Sequence, residues 1–311
     1  MMRKILITGG AGFIASCLAE KLLEDPENYL VLIDNLSTGL IENLPPKNDR
    51  WNFIKADVND YRDISEIMLS NNFDFVFHYA AVVGVNRTQA NPCSVLNDLK
   101  GFKNVLNLAK NSNVKRVFFA SSSEVYGESV TFPQNEISTP LNSKVPYAVV
   151  KNAGEAFLRS YQKEFGLDYT IFRFFNTYGP KQSRDFVISK LLAKALKNEP
   201  ITIYGDGSQS RTFCYINDNI DACCRAAYDN LFVNDVVNIG NDNETSILDL
   251  AKLIVKLTDS TSEFVFLPPL KEGDMQRRLP DIGNMKILLN RPLCSLEEGI
   301  KHLIDSPRFQ K

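Results

Sequence analysis

The fold turns on residues 3–15, which read Arg3-Lys4-Ile5-Leu6-Ile7-Thr8-Gly9-Gly10-Ala11-Gly12-Phe13-Ile14-Ala15. The apolar run up to Thr8 predicts a buried parallel strand, the glycines a tight turn, and the pattern from Phe13 to about Glu24 a helix. Strand, Gly-rich turn and helix is the setting a dinucleotide fingerprint requires. Gly9 and Gly12 let the backbone approach a pyrophosphate whose charge then sits at the helix N-terminus, where Phe13 and Ile14 begin. The spacing is G-x-x-G-x-x-A, with Ala15 last; one extra methyl there is tolerable if helix and strand separate slightly. The next strand, Tyr29–Ile33, ends in Asp34. A carboxylate there accepts hydrogen bonds from the adenosine ribose hydroxyls and repels a 2′-phosphate. No Arg follows in Asn35-Leu36-Ser37-Thr38-Gly39, so NAD is favoured over NADP.

Outward from this stretch the alternation continues. A third strand near Asn52–Ala56 leads to Asp57-Val58, and a helix covers roughly 60–70. The strand 74–79 is followed by Ala80 and Ala81, small enough for a flat cofactor to pass close, while His78 within the strand reads as a core residue. Helical periodicity covers 94–111, then a strand covers 115–120. Beyond its carboxyl end lie Ser121-Ser122-Ser123-Glu124, where open α/β sheets bind ligands. Residues 128–146, with Pro133, Pro140 and Pro146, read as a loop; a helix 147–165 and a strand 168–175 come next. The sharp exit Asn176-Thr-Tyr-Gly-Pro180 marks an expected domain boundary. Further helices are expected at 186–197, 217–229, 246–257 and 295–304, with a strand at 235–239. The expected fold is α/β: a Rossmann-type doubly wound parallel sheet with a smaller C-terminal α/β substrate domain. Residues 1–175 plus about 216–243 form the NAD-binding part, and about 176–215 plus 244–311 the rest.

Tyr147 and Lys151 are four apart and share one helix face. An ammonium near a phenol favours the ionised form, and such a phenol can take a proton from a substrate hydroxyl while hydride leaves the neighbouring carbon. With 11 Tyr and 35 Lys+Arg in 311 residues, chance alone supplies about one Tyr-x-x-x-Lys/Arg, so the pair needs its surroundings. Tyr169 and Arg173 are such a chance case.

The totals exclude several classes. A net charge of −2 and a pI near 5.9 offer no basic stripe for nucleic acid. Six Cys without a C-x-x-C pair read as reduced thiols of a cytoplasmic protein. Two His make a metal site improbable, and no stretch reaches the length of a membrane span. Arg3-Lys4 before an apolar run hints at a signal peptide, but Thr8-Gly9-Gly10 interrupts the run at once.

Thr8-Gly-Gly-Ala-Gly-Phe-Ile14, Asp34–Gly39, Ser122, Tyr147/Lys151 and Arg173-Phe-Phe-Asn-Thr-Tyr-Gly-Pro180 occur in an order that resembles the extended short-chain dehydrogenases/reductases of the nucleotide-sugar epimerase/dehydratase group. Ile203-Tyr-Gly-Asp-Gly207, Arg211-Thr-Phe-Cys-Tyr215 and Asp274-Met-Gln-Arg-Arg-Leu-Pro-Asp281 extend the likeness through the second half. The resemblance implies bound NAD, a nucleoside-diphosphate sugar and a homodimer formed through helices 94–111 and 147–165. It implies Tyr147 as base for the C4 hydroxyl, Ser122 sharing that proton, and Lys151 on the nicotinamide ribose. Ser123, Asn176, Tyr204, Arg211, Arg277 and Arg278 would meet the substrate, since guanidinium forks match phosphate oxygens. Dehydratases of the group usually have Asp-Glu where this chain has Ser123-Glu124, which removes the acid. The order hydroxyl-Ser-Glu is similar to that of UDP-glucuronate decarboxylases, so epimerisation, decarboxylation and release of the 4-keto sugar by a C4-dehydrogenase all stay open. A steroid or flavonoid ketone reductase, or a non-catalytic NAD-binding sensor or scaffold, would share the N-terminal half. The first does not explain Arg211 and Arg277, and the second predicts a damaged Ser/Tyr/Lys set.

Overall fold

The computed structural model describes residues 2–84, 88, 90–129, 131–269 and 277–310. Its strands, in chain order, are β1 Arg3–Thr8, β2 Asn28–Asp34, β3 Trp51–Lys55, β4 Phe75–His78, β5 Arg116–Ser122, β6 Asp168–Phe174, β7 Thr177–Tyr178, β8 Ile201–Tyr204, β9 Ser210–Thr212, β10 Cys214–Tyr215, β11 Asp235–Ile239, β12 Glu244–Ser246 and β13 Phe264–Leu267. The chain divides into two compact units, one of Met1–Gly127, Pro140–Phe174 and Ile220–Asn238, the other of Glu128–Thr139, Phe175–Asn219 and Ile239–Lys311.

In the first unit a seven-stranded sheet runs in the order β11-β6-β5-β4-β1-β2-β3, with parallel pairing from β3 through to β6. This is the doubly wound arrangement the sequence predicts. Near-continuous apolar runs such as Ile5-Leu6-Ile7 and Leu30–Ile33 are buried, as a parallel sheet covered on both faces requires. On one face Leu6, Val31, Val76 and Phe119 meet Ile64 and Met68 of the helix Tyr61–Asn71 and Phe102 and Val105 of the helix Asp98–Asn111. Strand order reverses between β1 and β4, so their carboxyl ends lie side by side with Thr8 opposite His78. The helix Pro146–Phe165 packs closely on this layer at Gly154, where a Cβ would stand 2.7 Å from Phe102 and 2.8 Å from Phe119.

The second unit holds three two-stranded ladders: β7 with β10 and β8 with β13, both parallel, and β9 with β12, antiparallel. The helices Val187–Ala195, Ile247–Leu257, Gly283–Leu289 and Leu296–Ile304 accompany them. The last begins with a capping box of Ser295 and Glu298.

Several boundaries differ from the sequence expectation. Ser121 and Ser122 belong to β5 because they pair with Arg173 and Phe174. The expected helix 94–111 is two pieces, Pro92–Leu96 and Asp98–Asn111, meeting at Asn97. Gly283–Leu289 is a helix the sequence does not signal. Residues 128–139 group with the second unit, because Gln134 N–H donates to Leu279 O (2.7 Å) and Gln134 O accepts from Asp281 N–H (2.8 Å). Residues 216–219 do so too, with Asn219 Nδ2 donating to Thr177 Oγ1 at 2.9 Å. Residues 239–243 belong there as well, with Phe175 N–H donating to Ile239 O at 2.8 Å.

A buried ion pair fastens the helix Pro146–Phe165 to β6. Arg173 grips Glu155 with Nε on Oε1 (2.9 Å) and Nη2 on Oε2 (2.7 Å), and neither side chain is more than 2% exposed. Burial would raise the Glu155 pKa, but the Arg173 fork, with Ser121 and Arg159, outweighs it and holds the carboxyl below its usual range. The stability this contributes is therefore present above the ordinary Glu pKa and fades as pH falls through the depressed one. Glu155→Ala leaves the buried guanidinium without its carboxylate and is expected to cost about 3–5 kcal/mol in urea unfolding at neutral pH. The gap to the unaltered protein should narrow in acid.

Candidate active site

At the carboxyl end of β1, Gly9 adopts φ +70°, and a Cβ there would lie 2.9 Å from the backbone of Ala80. Thr8 fixes that approach. Its Oγ1 accepts from the N–H groups of Tyr79 (3.1 Å) and Ala80 (3.0 Å). Its single proton is left for His78 Nδ1, 2.9 Å away. The imidazole is thus neutral with its proton on Nε2. Burial, and then the charge of Lys151, push its pKa down to about 3. His78 is a satisfied core residue, as the sequence suggests.

Gly12 caps the helix Phe13–Leu22 with no side-chain hydrogen bond, and its first turn has no acidic residue. Such a helix start presents backbone N–H groups to an anion. Asp34, the last residue of β2, accepts from Ala11 N–H (3.1 Å) and Leu36 N–H (2.7 Å). Gly39 packs directly on the Asp34 carboxylate. Asn35 makes an Asx turn to Ser37 N–H (2.9 Å) and donates to Asp57 Oδ2 (3.0 Å), while Thr38 is exposed. Val58 is buried beside Gly101. The predicted dinucleotide residues Gly9, Gly12, Phe13, Ile14, Asp34–Gly39, Asp57, Val58, Ala80 and Ala81 therefore all fall at or just past the carboxyl ends of β1 to β4.

Lys151 is buried and donates to Ala120 O at 2.7 Å, with its ammonium 5.7 Å from the Tyr147 ring centroid and 5.0 Å from that of Phe119. Burial lowers its pKa to about 8, against the opposing pull of Asp98. Two residues beyond Ala120, Ser122 ends β5 and its Oγ accepts from Glu124 N–H at 3.2 Å, capping a 3₁₀ turn Ser123–Tyr126. Ser123 is buried and Glu124 half-buried. Both flanks of the turn are held by the ion pair of Glu155 and Arg173. Ser121 Oγ donates to Glu155 Oε1 (2.7 Å), and Arg173 Nη1 donates to Tyr126 OH (2.8 Å), which donates in turn to Asn238 (2.8 Å). The sequence alone assigns no role to Glu155, Tyr126, Thr8 or Asp98. Glu155 repeats the Tyr147/Lys151 spacing one step further along the helix, the one signal that points to it.

The residues matched by the family model "NAD dependent epimerase/dehydratase family" are 5–240, most of the chain. The chain belongs to that family. It is 35% identical over 308 residues to a putative UDP-glucose 4-epimerase of Methanocaldococcus jannaschii, covering 97% of each. It is also 35% identical to UDP-glucuronic acid decarboxylase 1 of Danio rerio, covering 97% of this chain and 72% of that one. Among solved structures, the UDP-glucose 4-epimerase of Thermotoga maritima with UDP-glucose superposes with a TM-score of 0.91 at 32% identity, covering 97% of both. Family membership makes the chain an NAD-dependent enzyme, and the Gly9 cradle and bare helix start fit that cofactor.

In the second unit Asn176, at φ +27°, donates from Nδ2 to Thr212 O (3.0 Å). Tyr204 ends β8 half-buried. Arg211 lies on β9 and gives Nη1 to Ser210 O at 2.7 Å. On the partner strand β12, Glu244 takes the Arg277 fork at 2.8 and 2.6 Å, so Arg211 and Arg277 come to one ladder and Arg277 makes an ion pair there. Arg278 is buried. Of Asp274–Asp281, residues 274–276 lie outside the described ones. Among the described residues no His/Cys/Asp/Glu cluster suits a metal ion, and no helix is long and apolar enough to cross a membrane.

Gly9→Ala tests the cradle. Its methyl meets the Ala80 backbone and its φ is unfavourable, a strain of about 1–3 kcal/mol. NAD affinity by calorimetry is expected to fall roughly ten- to a hundredfold, with a lowered Tm in the absence of NAD.

Proposed function

We propose that this enzyme oxidises a nucleoside-diphosphate sugar at C4 and acts as an epimerase or C4-dehydrogenase. The observation that carries the reading is the Lys151 ammonium beside the Tyr147 ring, bound to the carbonyl of Ala120 two residues before Ser122. Tyr147 takes the proton of the C4 hydroxyl, Ser122 shares it, and Lys151 favours the phenolate and holds the nicotinamide ribose. Bound NAD supplies the two-electron acceptor. Gly9, Gly12, Phe13 and Ile14 hold its pyrophosphate and Asp34, Asn35, Ser37, Thr38 and Gly39 its adenosine ribose. Asp57 and Val58 border its adenine, and Ala80 and Ala81 leave room along its length. In the second unit Arg211 and Arg278 are the guanidiniums for the diphosphate, with Arg277 joining them when its fork leaves Glu244. Asn176 and Tyr204 bind the remainder. UDP is the favoured nucleotide, because the related enzymes above are named for UDP-sugars. The site lies in a cytoplasmic protein.

A second reading, decarboxylation of a UDP-uronate, is favoured by the order Ser122-Ser123-Glu124 and by the Danio rerio relative. There Glu124 would act next to the C4 ketone once it forms. Dehydration is disfavoured, since the Ser123 hydroxyl is a poor general acid beside the carboxyl that elimination uses.

We also propose a homodimer through the helices Asp98–Asn111 and Pro146–Phe165. After the core has taken its share, Val149 (43% exposed) and Phe165 (46%) of the second helix remain uncovered, with Leu96 (44%) on the short helix Pro92–Leu96 just before the first. An apolar face of this kind is characteristic of an interface between copies.

Tyr147→Phe keeps the ring and removes the base, so turnover is expected to fall by roughly a hundred- to ten-thousandfold. A panel of UDP-, GDP-, CDP- and dTDP-sugars read by mass spectrometry and NADH absorbance identifies the outcome. Unchanged mass without NADH marks an epimerase, loss of two hydrogens with NADH a dehydrogenase, and loss of carbon dioxide a decarboxylase. Loss of water, or no turnover of any nucleotide sugar, would overturn the reading. Light scattering at micromolar concentration should give twice the 35.0 kDa chain mass, and Val149→Glu should shift it toward the monomer.

A further inference from the structure

The loop that follows β2 leaves the Asp34 carboxylate and returns to the Gly-rich turn after β1, and side chains bonded to backbone fix its path. Asp34 takes Leu36 N–H on Oδ1 (2.7 Å) and Ala11 N–H on Oδ2 (3.1 Å). Asn35 takes Ser37 N–H (2.9 Å). At the far end Asn43, closing the 3₁₀ turn Ile41–Asn43, donates from Nδ2 to Ala11 O at 3.0 Å. Leu40 N–H donates to the same oxygen, also at 3.0 Å. Between these ties Leu36 holds φ +63°, a left-handed conformation that a leucine keeps only where its surroundings over-determine it.

Asn43 is only 5% exposed, and a buried amide is costly unless it is bonded. What it bonds is one edge of a single peptide plane, since Ala11 O and Gly12 N–H belong to one rigid unit. Leu40 and Asn43 fill both lone pairs of that oxygen, and on the other edge Gly12 N–H donates to Gly9 O at 2.9 Å. Ala11 itself is fully buried, with its own N–H on Asp34. This plane immediately precedes Phe13, so fixing it fixes the direction in which the chain enters the helix Phe13–Leu22 and presents its first N–H groups.

We propose that Asn43 is a positioning residue of the NAD site: its amide pins the Ala11–Gly12 peptide, holds the helix start in the orientation that meets the pyrophosphate, and ties the ribose loop to the glycine turn. The role given to Asn43 rests on the placement of the NAD pyrophosphate at that turn and not on the fate of the sugar.

Calorimetry with NAD on the full chain tests it. Asn43→Leu keeps much of the volume and removes the donor, while Ala11 O keeps Leu40 N–H, so the fold is expected to survive. Loss of one buried hydrogen bond should weaken NAD binding by roughly three- to tenfold, and Asn43→Ala should lose as much. Without NAD, hydrogen exchange of residues 9–16 should speed up in both variants while that of the helix Pro146–Phe165 stays as it is. Unchanged affinity in Asn43→Leu overturns the proposal. So does a loss in Asn43→Ala that Asn43→Leu restores, because volume and not the donor would then be what counts. Exchange that rises equally in both segments overturns it too, since Asn43 would then serve the whole fold. Gly9→Ala, measured beside them, separates two failures. Weakened NAD binding there with none in Asn43→Leu strikes the part given to Asn43 alone; no weakening in either strikes the placement of the pyrophosphate as well.

Discussion

The arrangement of the first unit depends on the ion pair of Arg173 with Glu155. A buried pair of charges gains little over apolar packing unless its remaining donors and acceptors are met. Here Ser121 and Arg159 satisfy the carboxylate and Tyr126 takes another guanidinium N–H. Those partners lie on β5, on the helix Pro146–Phe165 and at the end of the 3₁₀ turn, so the pair is satisfied only when all three sit correctly against β6. Side chains alternate along a strand. Committing Ser121 to Glu155 therefore turns Ser122 the other way, where it caps the turn through Glu124 N–H. The ion pair thus orients a serine it never touches.

A second clamp works on the neighbouring strands. Thr8 uses both lone pairs on backbone N–H groups of Tyr79 and Ala80 and its proton on His78. This leaves no freedom in the approach of Ala80 to Gly9. Between the two clamps lies Lys151, anchored on Ala120 of the strand whose end the first clamp fixes. Thr8, His78, Ser122 and Lys151 are thus partnered by protein atoms. A site built this way need not reorganise as charge develops in the reaction.

Much of this is legible in the sequence, and the gaps have physical causes. The Gly-rich turn, Asp34 and the Tyr147/Lys151 face are readable because each depends on a local pattern: a turn that only glycine makes, a residue at a strand end, a helical spacing of four. The clamps are non-local. Thr8 and His78 are 70 positions apart, and Glu155 and Arg173 belong to different elements, so although the helical spacing points to Glu155, no local pattern joins either residue to its partner. By spacing alone Arg173 is even a chance partner of Tyr169. The serines of β5 mislead for the opposite reason: hydroxyl residues suggest a turn, but the register with Arg173 and Phe174 extends the strand through Ser122. Gly283–Leu289 escapes notice because seven residues are too few to establish a helical period.

The division of the chain explains why the first chemical step is easier to read than its outcome. Tyr147, Lys151, Ser122 and the dinucleotide residues all belong to the first unit, which lies almost wholly within the residues the family model matches. Oxidation at a sugar carbon needs only a base, a held cofactor and a hydroxyl to share the proton, and one sheet end can supply all three. The fate of the ketone depends on which neighbouring group can give or take a second proton, and on how the sugar is presented. Under the function proposed above, the first would fall to Ser123 and Glu124, in a turn clamped at both ends. A serine there offers a hydroxyl that scarcely ionises, so elimination lacks its acid while Glu124 keeps its carboxyl. Arg211 and, through Glu244, Arg277 come to one ladder of the second unit, which the family model covers less fully. In this chain the two buried clamps hold the turn that carries Ser123 and Glu124 without choosing which side chains stand there.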